Sequence, residues 1–282
     1  MGFGMRGHDL CSKRSFEGFC QAVKELGVTD VQLAFKKSIT DIKFDPGMYS
    51  PGLGNYLKRT LDKYGVHVAV LGCYINPTNP IESKRQAEVN KFIEHLKYAR
   101  AIGADMVGTE TGRFDPNLKL NPATYTEAGY QLLLKSMREI VSAAEKLGVI
   151  VGVEGVATHT LYSPEMMLRF LRDIDSPNVE VILDPVNLLN GENYKDQDKI
   201  INRAFELYSE KISVIHMKDF KLEDGEVKFE HVGDGLLNYE PVLTNLKTKK
   251  PYITMLLECS TPERYHSDCE YLQKIYDSIE TE

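Results

Sequence analysis

Residues 145–154 read EKLGVIVGVE, and this stretch decides the fold. A charged, amphipathic segment ends at Gly148 and an apolar run follows at once. This pattern is typical of a helix that a left-handed glycine stops before a buried strand. The same pattern recurs at Gly27, Gly65 and Gly103, at intervals of about 40 residues, the length of one strand–helix unit. The sequence therefore predicts repeated β/α units.

Eight apolar runs along the chain predict eight buried strands. The runs are continuous rather than alternating, as expected for parallel strands that protein covers on both faces. They cover Gly2–Arg6, Val28–Phe35, Val66–Tyr74, Met106–Thr111, Val149–Val156, Val179–Asn187, Ile212–Phe220 and Tyr252–Ser260. A hydroxyl residue followed by proline predicts helix starts at Ser50-Pro51, Ser163-Pro164 and Thr261-Pro262. A doubly wound open sheet would normally have fewer strands, so we expect one α/β domain over residues 1–282, a single (β/α)8 TIM barrel.

The composition excludes several classes of protein. The chain has 282 residues, and 34 Lys and Arg against 41 Asp and Glu give a net charge of -7. Such a surface repels phosphate backbones, so we expect no nucleic-acid partner. No apolar run approaches the roughly 20 residues that span a bilayer, and no signal-peptide pattern is present, so we expect no membrane partner. Five cysteines without CxxC spacing fit a cytoplasmic protein.

Ionisable residues end the last four predicted strands. The carboxyl ends of the strands form the active site in a β/α barrel. The runs end VIVGVE at Glu154, VEVILD at Asp184, ISVIH at His216 and ITMLLE at Glu258. Any one of these residues could cap a helix or pair with a lysine, but four on adjacent strands converge on one rim. Three carboxylates and an imidazole there need a cation to neutralise them. Mn²⁺, Mg²⁺ or Co²⁺ suits the set, and Zn²⁺ stays open.

The motifs around these residues resemble those of the xylose isomerase-like barrels, a family that includes sugar phosphate isomerases and epimerases, D-tagatose 3-epimerase and the AP endonucleases of the second family. The resemblance covers essentially the whole chain. It is carried by GVEGV, ILDPVN, HMKDF, HVGDG and LLEC, around Glu154, Asp184, His216, His231 and Glu258. It implies that Glu154, Asp184, His216 and Glu258 hold one divalent cation, Mn²⁺ above the others. It also implies that the two glutamates move the substrate proton.

Departures from the family pattern narrow the assignment. The endonucleases place metal-binding histidines after the second and third strands, where this chain has Phe35-Lys36-Lys37 and Cys73-Tyr74-Ile75. Relatives often carry a histidine at the position of Asn187. Epimerases of free ketoses carry an arginine at the position of Leu222. These differences argue against a trinuclear zinc nuclease and against free D-psicose or D-tagatose as substrate.

Further rim residues are predicted to bind substrate. They are Arg6, His8, Glu110, Asn187, Lys218 and His231. Arg6 and His8 would orient substrate oxygens, unless they form an ordinary pair between loops. Asn187 can donate and accept hydrogen bonds beside Asp184.

Three of the rim positions have a second possible role. Glu110 would bind a substrate hydroxyl or cap a helix. Lys218 would reach a substrate carboxylate or phosphate, or it would pair with Asp219. His231 would contact substrate or support the site, and His159 is interpreted as a packing or interface residue.

These residues predict a divalent-metal-dependent isomerase or epimerase of a sugar, sugar phosphate or related polyol ketone. A glutamate would remove the proton next to the carbonyl, and the cation would stabilise the enediolate. Loss of a β-hydroxyl from that enediolate would instead make a dehydratase of an inosose- or dehydroshikimate-like ring. A phosphodiesterase or nuclease fits the sequence less well, as does a carbohydrate-binding barrel without catalysis. We expect a carbohydrate partner, and a homo-oligomer is left open.

Overall fold

Eight parallel strands close into a barrel in the computed structural model, which describes residues 2–280. The strands are β1 Gly2–Arg6, β2 Asp30–Leu33, β3 His67–Gly72, β4 Met106–Glu110, β5 Ile150–Glu154, β6 Val179–Leu183, β7 Ile212–Met217, β8 Asp219–Glu223, β9 Glu226–Glu230 and β10 Thr254–Leu257. β8 and β9 pair as an antiparallel hairpin, and the other eight strands form the ring. β1 closes the ring against β10, with Gly4 opposite Leu256. The predicted (β/α)8 barrel is confirmed.

Helices cover the outside of the ring. They are α1 Gly7–Leu10, α2 Phe16–Glu25, α3 Phe35–Ser38, α4 Pro51–Tyr64, α5 Glu82–Ile102, α6 Glu127–Leu147, α7 Pro164–Ile174, α8 Gln197–Tyr208, α9 Glu240–Lys249 and α10 Tyr265–Ser278. Within residues 2–280, no helix combines the length and apolar character that crossing a membrane requires.

The helix ends follow the predicted cap chemistry in most places. Gly65, Gly103 and Gly148 end α4, α5 and α6 with φ of 70°, 72° and 65°, the left-handed region that glycine adopts without steric cost. The hydroxyls of Ser50 and Ser163 accept the backbone N–H of the third residue beyond them and begin α4 and α7.

Several predicted boundaries are wrong. The runs Val179–Asn187 and Tyr252–Ser260 yield strands only over Val179–Leu183 and Thr254–Leu257, and Val186–Leu188 forms a short 3-10 helix. The run Val28–Phe35 yields a strand only over Asp30–Leu33, because Phe35 already begins α3. The run Ile212–Phe220 is broken after Met217, and its last residues enter β8. Thr261 does not cap α10, because its carbonyl accepts the N–H of Arg264 and Tyr265 in a turn that precedes the helix.

The barrel interior is a packed core. Its apolar layer consists of Ala69, Val70, Met106, Ile182, Val214 and Leu256. Gly152 leaves room for Met106 and Ile182, since a Cβ at this position would lie 2.5 Å from the Met106 sulfur and 2.9 Å from Cδ1 of Ile182. Side chains alternate along a strand, so the residue two positions after an interior residue also points inward, nearer the carboxyl rim. Glu154 therefore points inward two residues after Gly152, and Glu258 points inward two residues after Leu256.

The hairpin is fixed to the barrel by a buried aspartate. Asp219 accepts hydrogen bonds from the Tyr239 hydroxyl at 2.8 Å and from the backbone N–H of Leu237 at 2.8 Å. The turn residues Asp224 and Gly225 both have positive φ, as a two-residue hairpin turn requires. The hairpin is thereby held over the carboxyl rim.

His95 on α5 should make stability depend on pH. Burial lowers the pKa of His95 to about 4, so between pH 6.5 and 4 the unfolded chain binds a proton that the folded chain does not. Stability contributed by the neutral ring is therefore lost as the pH falls through this window. Between pH 7 and 4.5, we expect the wild type to lose roughly 2–3 kcal/mol more than His95→Leu in denaturant titrations. Equal losses in the two proteins would contradict this assignment.

Candidate functional site

Three side chains at the carboxyl rim form a buried cluster of oxygen and nitrogen donors. Glu154 ends β5, Asp184 follows β6 and His216 lies near the end of β7. Their side chains are 2% exposed or less. One potential ligand atom from each lies within 4.8 Å of the other two. The strand order brings together three residues that the sequence predicted as metal ligands.

Two polar atoms at this cluster have no hydrogen-bond partner. They are Nε2 of His216 and Oδ1 of Asn187, both buried. The Asn187 amide nitrogen donates to Glu154 Oε1 at 2.6 Å. Buried polar groups are normally paired, so the unpaired Asn187 Oδ1 beside Glu154 marks a place for a ligand. His216 faces the same carboxylates with its Nδ1, which lies 3.3 Å from Glu154 and 3.4 Å from Glu258. The donor set of two carboxylates and an imidazole fits a divalent cation.

Glu258 lies next to this cluster but is held by cationic side chains. Its Oε1 lies 3.4 Å from Nδ1 of His216, while its Oε2 lies 3.0 Å from the Lys218 ammonium and 2.9 Å from the Arg6 guanidinium. The Lys218 ammonium also lies 2.5 Å from Asp184 Oδ2. Lys218 therefore bridges two predicted ligands, and its predicted pairing with Asp219 is wrong.

The mixture of charges shifts the pKa values of the buried groups. Burial alone would raise the pKa of Glu258, but the charges of Lys218, His216 and Arg6 hold it well below its usual range. Burial would lower the pKa of His216, but Glu154 and Glu258 raise it to about 9. Burial raises the pKa of Asp184 above its ordinary value, although Lys218 opposes the shift. Glu258 is thus kept ionised in a buried position.

Arg6 is oriented by a second carboxylate. Its Nε and Nη2 donate to the two oxygens of Asp9 at 2.7 and 3.0 Å, a bidentate geometry that fixes the plane of the guanidinium. Asp9 also accepts the backbone N–H of Cys259 at 2.8 Å. Cys259 has a φ of 56°, a strained conformation for a residue with a side chain, directly after Glu258. The strain and the bond to Asp9 together set where the Glu258 side chain enters the barrel.

A cavity of about 370 Å³, here called the inner cavity, opens above these residues. Seven predicted site residues line it: Arg6, His8, Glu110, Glu154, Asn187, Lys218 and Glu258. His231 does not. Its backbone N–H donates to Glu230 Oε1 at 3.1 Å in the segment after β9, and it lies outside the lining of the cavity. The structure therefore gives no contact that supports His231 as a substrate-binding residue.

Seven wall residues of the inner cavity were not predicted as site residues. Three of them are Lys37, Val156 and Thr158, and the other four are Tyr74, Arg113, His159 and Phe229. His159, which was interpreted as a packing or interface residue, is buried and forms part of the wall, and its Nδ1 lies 3.5 Å from Glu110. Phe229 projects from β9, with its ring centroid 4.1 Å from the Lys218 ammonium. Of the four, Tyr74 and Phe229 carry a sequence signal: Tyr74 lies two residues after the end of β3, and Phe229 follows an Asp-Gly turn.

Two ionisable wall residues have altered pKa values. Burial and the neighbouring Glu154 raise the pKa of Glu110 to about 7. Burial and the charge of Arg6 lower the pKa of His8 to about 4, so this imidazole is neutral at physiological pH. The wall thus offers an uncharged imidazole, with Nδ1 unpaired, and a carboxyl group that is partly protonated near neutrality.

A second cavity of about 480 Å³, here called the outer cavity, adjoins the first. Tyr74, Glu110 and His159 line both cavities and form the partition between them. The rest of the outer wall comes from α5, the segment before it and the loop after β4. Both volumes lie in the range of about 300–1,000 Å³ that is typical of small-molecule sites.

The chain is similar to proteins that act on sugars and cyclitols. An inosose dehydratase of Histophilus somni (strain 129Pt) is 23% identical over 238 residues, which make up 77% of this chain and 78% of that protein. The crystal structure of a D-tagatose 3-epimerase-like protein matches with a TM-score of 0.76 and 20% identity, covering 98% of this chain and 97% of the other. The apo crystal structure of the 3-keto-D-glucoside 4-epimerase from E. coli matches with a TM-score of 0.73 and 14% identity, covering 97% and 99%.

The sequence pattern of one family extends over most of the barrel. The family described as the xylose isomerase-like TIM barrel matches residues 20–275, from α2 to α10. The solved structures above share this closed barrel over nearly their full length. The family expected from the motifs is confirmed, and the chain belongs to the xylose isomerase-like TIM barrel family.

Proposed function

We propose that this protein is a divalent-metal-dependent isomerase or epimerase of a sugar, sugar phosphate or related polyol ketone. The observation that carries the proposal is the buried cluster of Glu154, Asp184 and His216 with the ionised Glu258 beside it. Burying four ionisable groups at the end of a cavity lowers the stability of the fold. Such groups are typical of functional sites. The named activities of the similar proteins support a sugar or cyclitol substrate.

Glu154, Asp184 and His216 would hold the cation, and Glu258 would complete the set through Oε1, which lies 3.4 Å from the His216 ring. We propose Mn²⁺ first, with Mg²⁺, Co²⁺ or Zn²⁺ as substitutes, since the donors are mostly oxygen. When bound, the cation supplies positive charge that stabilises an enediolate.

Glu154 and Glu258 would move the substrate proton. Glu154 and Glu258 come from strands three steps apart in the ring, so they reach the inner cavity from different sides of His216. Because its pKa is held low, Glu258 stays ionised, which is the form that can accept a proton, and the C–H next to a carbonyl is acidic enough to supply one. Arg6 and Lys218 donate hydrogen bonds that hold Glu258 in place.

A dehydratase is the second candidate, and one finding favours it. The similar protein from Histophilus somni is named an inosose dehydratase, and inososes are polyhydroxylated ring ketones. The same proton removal, followed by loss of a β-hydroxyl, gives an unsaturated ketone. An acid for the departing hydroxyl is available in Glu110, because its pKa of about 7 leaves it partly protonated.

One experiment separates these reactions. The metal-loaded protein is incubated in deuterated water with a panel of ketoses, ketose phosphates and inososes, and the products are followed by NMR and ultraviolet absorption. Deuterium at carbon with no loss of water supports the isomerase or epimerase, and a new conjugated chromophore supports the dehydratase. If no substrate exchanges its C–H or loses water, both proposals are wrong.

We expect the purified protein to hold about one divalent cation per chain. Asp184→Ala and His216→Ala should each lose most of it, because each removes one of three clustered donors. Both should also lose the rise in melting temperature that added metal gives the wild type, since a bound ligand stabilises the folded state. Elemental analysis and thermal melts measure the two effects.

Exposed residues of the same types supply matched controls for this experiment. Asp62→Ala and His266→Ala change side chains on the surface, away from the cluster, and should keep the metal. Full metal content and an unchanged metal-induced shift in Asp184→Ala would show that the cluster is not the metal site.

A further inference from the structure

We propose that the outer cavity is a binding subsite for a second, uncharged group of the substrate, joined to the reacting ring by a glycosidic bond. This inference rests on the proposed function for the reaction at the inner cavity. It adds the substrate class: a sugar ring ketone that carries a glycosidic substituent.

The two cavities are placed as two halves of one site. The partition that they share consists of three residues, Tyr74, Glu110 and His159. A ring bound over Glu154 and Glu258 would therefore project substituents past this partition. The inner cavity of about 370 Å³ is lined mainly by charged and polar residues, and the outer cavity adds about 480 Å³ of space beside it.

The partition contains a buried histidine that lines both halves. His159 is 8% exposed, and its Nδ1 lies 3.5 Å from Glu110 Oε2 but makes no hydrogen bond of normal geometry with any residue from 2 to 280. Burial and the charge of Arg113 lower the pKa of His159 to about 4, so the ring is neutral. A neutral imidazole at the junction, whose Nδ1 has only the long contact with Glu110, is suited to a hydroxyl or a glycosidic oxygen.

The chemistry of the outer wall selects an uncharged ligand. Asn79 and Asn117 contribute amides, while Ile75, Ala87 and Leu118 contribute apolar surface. A mixture of amides and apolar carbons matches the hydroxyls and C–H faces of a sugar or an aglycone.

The charged residues of the outer wall do not form an anion site. Lys84 is exposed and is the wall's one ammonium group, while Glu88 lies 3.6 Å from Lys91. A phosphate group needs several converging donors, usually including Arg or a helix N-terminus. The wall offers one exposed lysine, Lys84, with Glu88 one turn further along α5, so a phosphorylated end of an open-chain sugar does not fit here.

The outer wall is preformed. Arg113 fixes the loop after β4 by donating to the Thr158 carbonyl at 2.9 Å, the Thr158 hydroxyl at 2.6 Å and the Leu118 carbonyl at 2.7 Å. Asn76 donates to the Asp115 carbonyl at 2.8 Å in the same loop. Leu118 has a φ of 58° and is 45% exposed at the cavity, a conformation that costs energy. A rigid wall that presents an apolar side chain loses little entropy when a ligand binds.

A glycosidic substituent restricts where the reactive carbonyl can be. The glycosidic bond occupies the anomeric carbon, so the carbonyl that acidifies the C–H must lie at another ring carbon. The substrate would then stay a closed ring, with the ketone at the inner cavity and the substituent in the outer cavity.

Calorimetric binding of two classes of probe tests this inference. The probes are methyl 3-keto-glucoside and the 3-keto derivatives of maltose and cellobiose, titrated into the metal-loaded protein. In the wild type, we expect at least one disaccharide to bind about tenfold tighter than the methyl glycoside, because only its second ring reaches the outer cavity. Equal or weaker binding of both disaccharides, or no binding of either, overturns the inference.

A cavity-filling variant locates the effect. Ala87 is an exposed position of α5 that lines the outer cavity, so Ala87→Trp should fill the cavity without disturbing the core. We expect the disaccharide preference to fall to within about twofold. Ala128→Trp, at an exposed position on α6 outside the cavity lining, should keep it, and thermal melts check that both variants fold. A preference that survives in Ala87→Trp overturns the inference.

Deuterium exchange in the same samples separates this inference from the proposed function. Exchange at carbon without a disaccharide preference leaves the proposed function standing and overturns the subsite. A disaccharide preference that Ala87→Trp removes, without exchange for any probe, supports the subsite and contradicts the proposed reaction.

Discussion

Replacing Glu154 or Glu258 by glutamine is expected to lower turnover by about 10²–10⁴-fold, the usual cost of losing a general base. Glutamine keeps an oxygen in nearly the same place but cannot accept the substrate proton. Metal content should fall only in part, because Asp184 and His216 remain in both variants. Steady-state kinetics and elemental analysis on the same preparations measure the two effects. Glu192→Gln, an exposed position, serves as the control.

The two glutamine variants should also differ in isotope exchange. In a two-base epimerase each epimer loses its proton to a different glutamate. One variant should therefore still exchange deuterium into one epimer without converting it to the other. Near-normal turnover in both variants would show that these glutamates are ligands or structural groups, and the base would then be sought among Glu110, His8 and Lys218.

Removing the buried ammonium of Lys218 should destabilise the metal-free protein by about 3–5 kcal/mol. Lys218 lies 2.5 Å from Asp184 and 3.0 Å from Glu258, and its side chain is 1% exposed. Lys218→Met keeps most of the side-chain volume but leaves two buried carboxylates without their shared positive partner. Denaturant titrations in the presence of a chelator measure the loss.

An exposed lysine nearby provides the matched control for Lys218→Met. Lys221 on the hairpin pairs with Glu223 at 3.3 Å and Glu230 at 3.0 Å, and its side chain is 48% exposed. Surface pairs contribute about 0–1 kcal/mol, so Lys221→Met should change stability little. Similar losses in the two variants would show that Lys218 is not a structural counter-charge.

The barrel and the donors of the cluster could be predicted because both follow from spacing along one strand. A glycine that ends a helix and an apolar run that ends in a carboxylate are local patterns, as at Gly148 and Glu154. Because side chains alternate along a strand, Arg6 points to the same side as Gly4, and Glu110 to the same side as Gly108.

The walls of the cavities could not be predicted in the same way. Arg113 and His159 come from irregular loops, and their positions depend on contacts such as that between Arg113 and Thr158, 45 residues apart. The β8–β9 hairpin did have a local signal in Asp224-Gly225, but the apolar run through Phe220 obscured the break after Met217. Nothing local shows that Lys218 would pair with Asp184 rather than with its neighbour Asp219.

The closure of the ring between β1 and β10 determines when the site can form during synthesis. The bond from Cys259 to Asp9 joins residues 250 positions apart, and the contact of Arg6 with Glu258 spans a similar distance. During translation, Arg6 leaves the ribosome near the start of synthesis and Glu258 near the end. Until β10 is released, β1 and β7 each present an unpaired edge that neighbouring nascent chains can join. Slow synthesis of β10 would therefore favour aggregation. A chaperone that covers the edges of β1 and β7 would raise the yield of active protein.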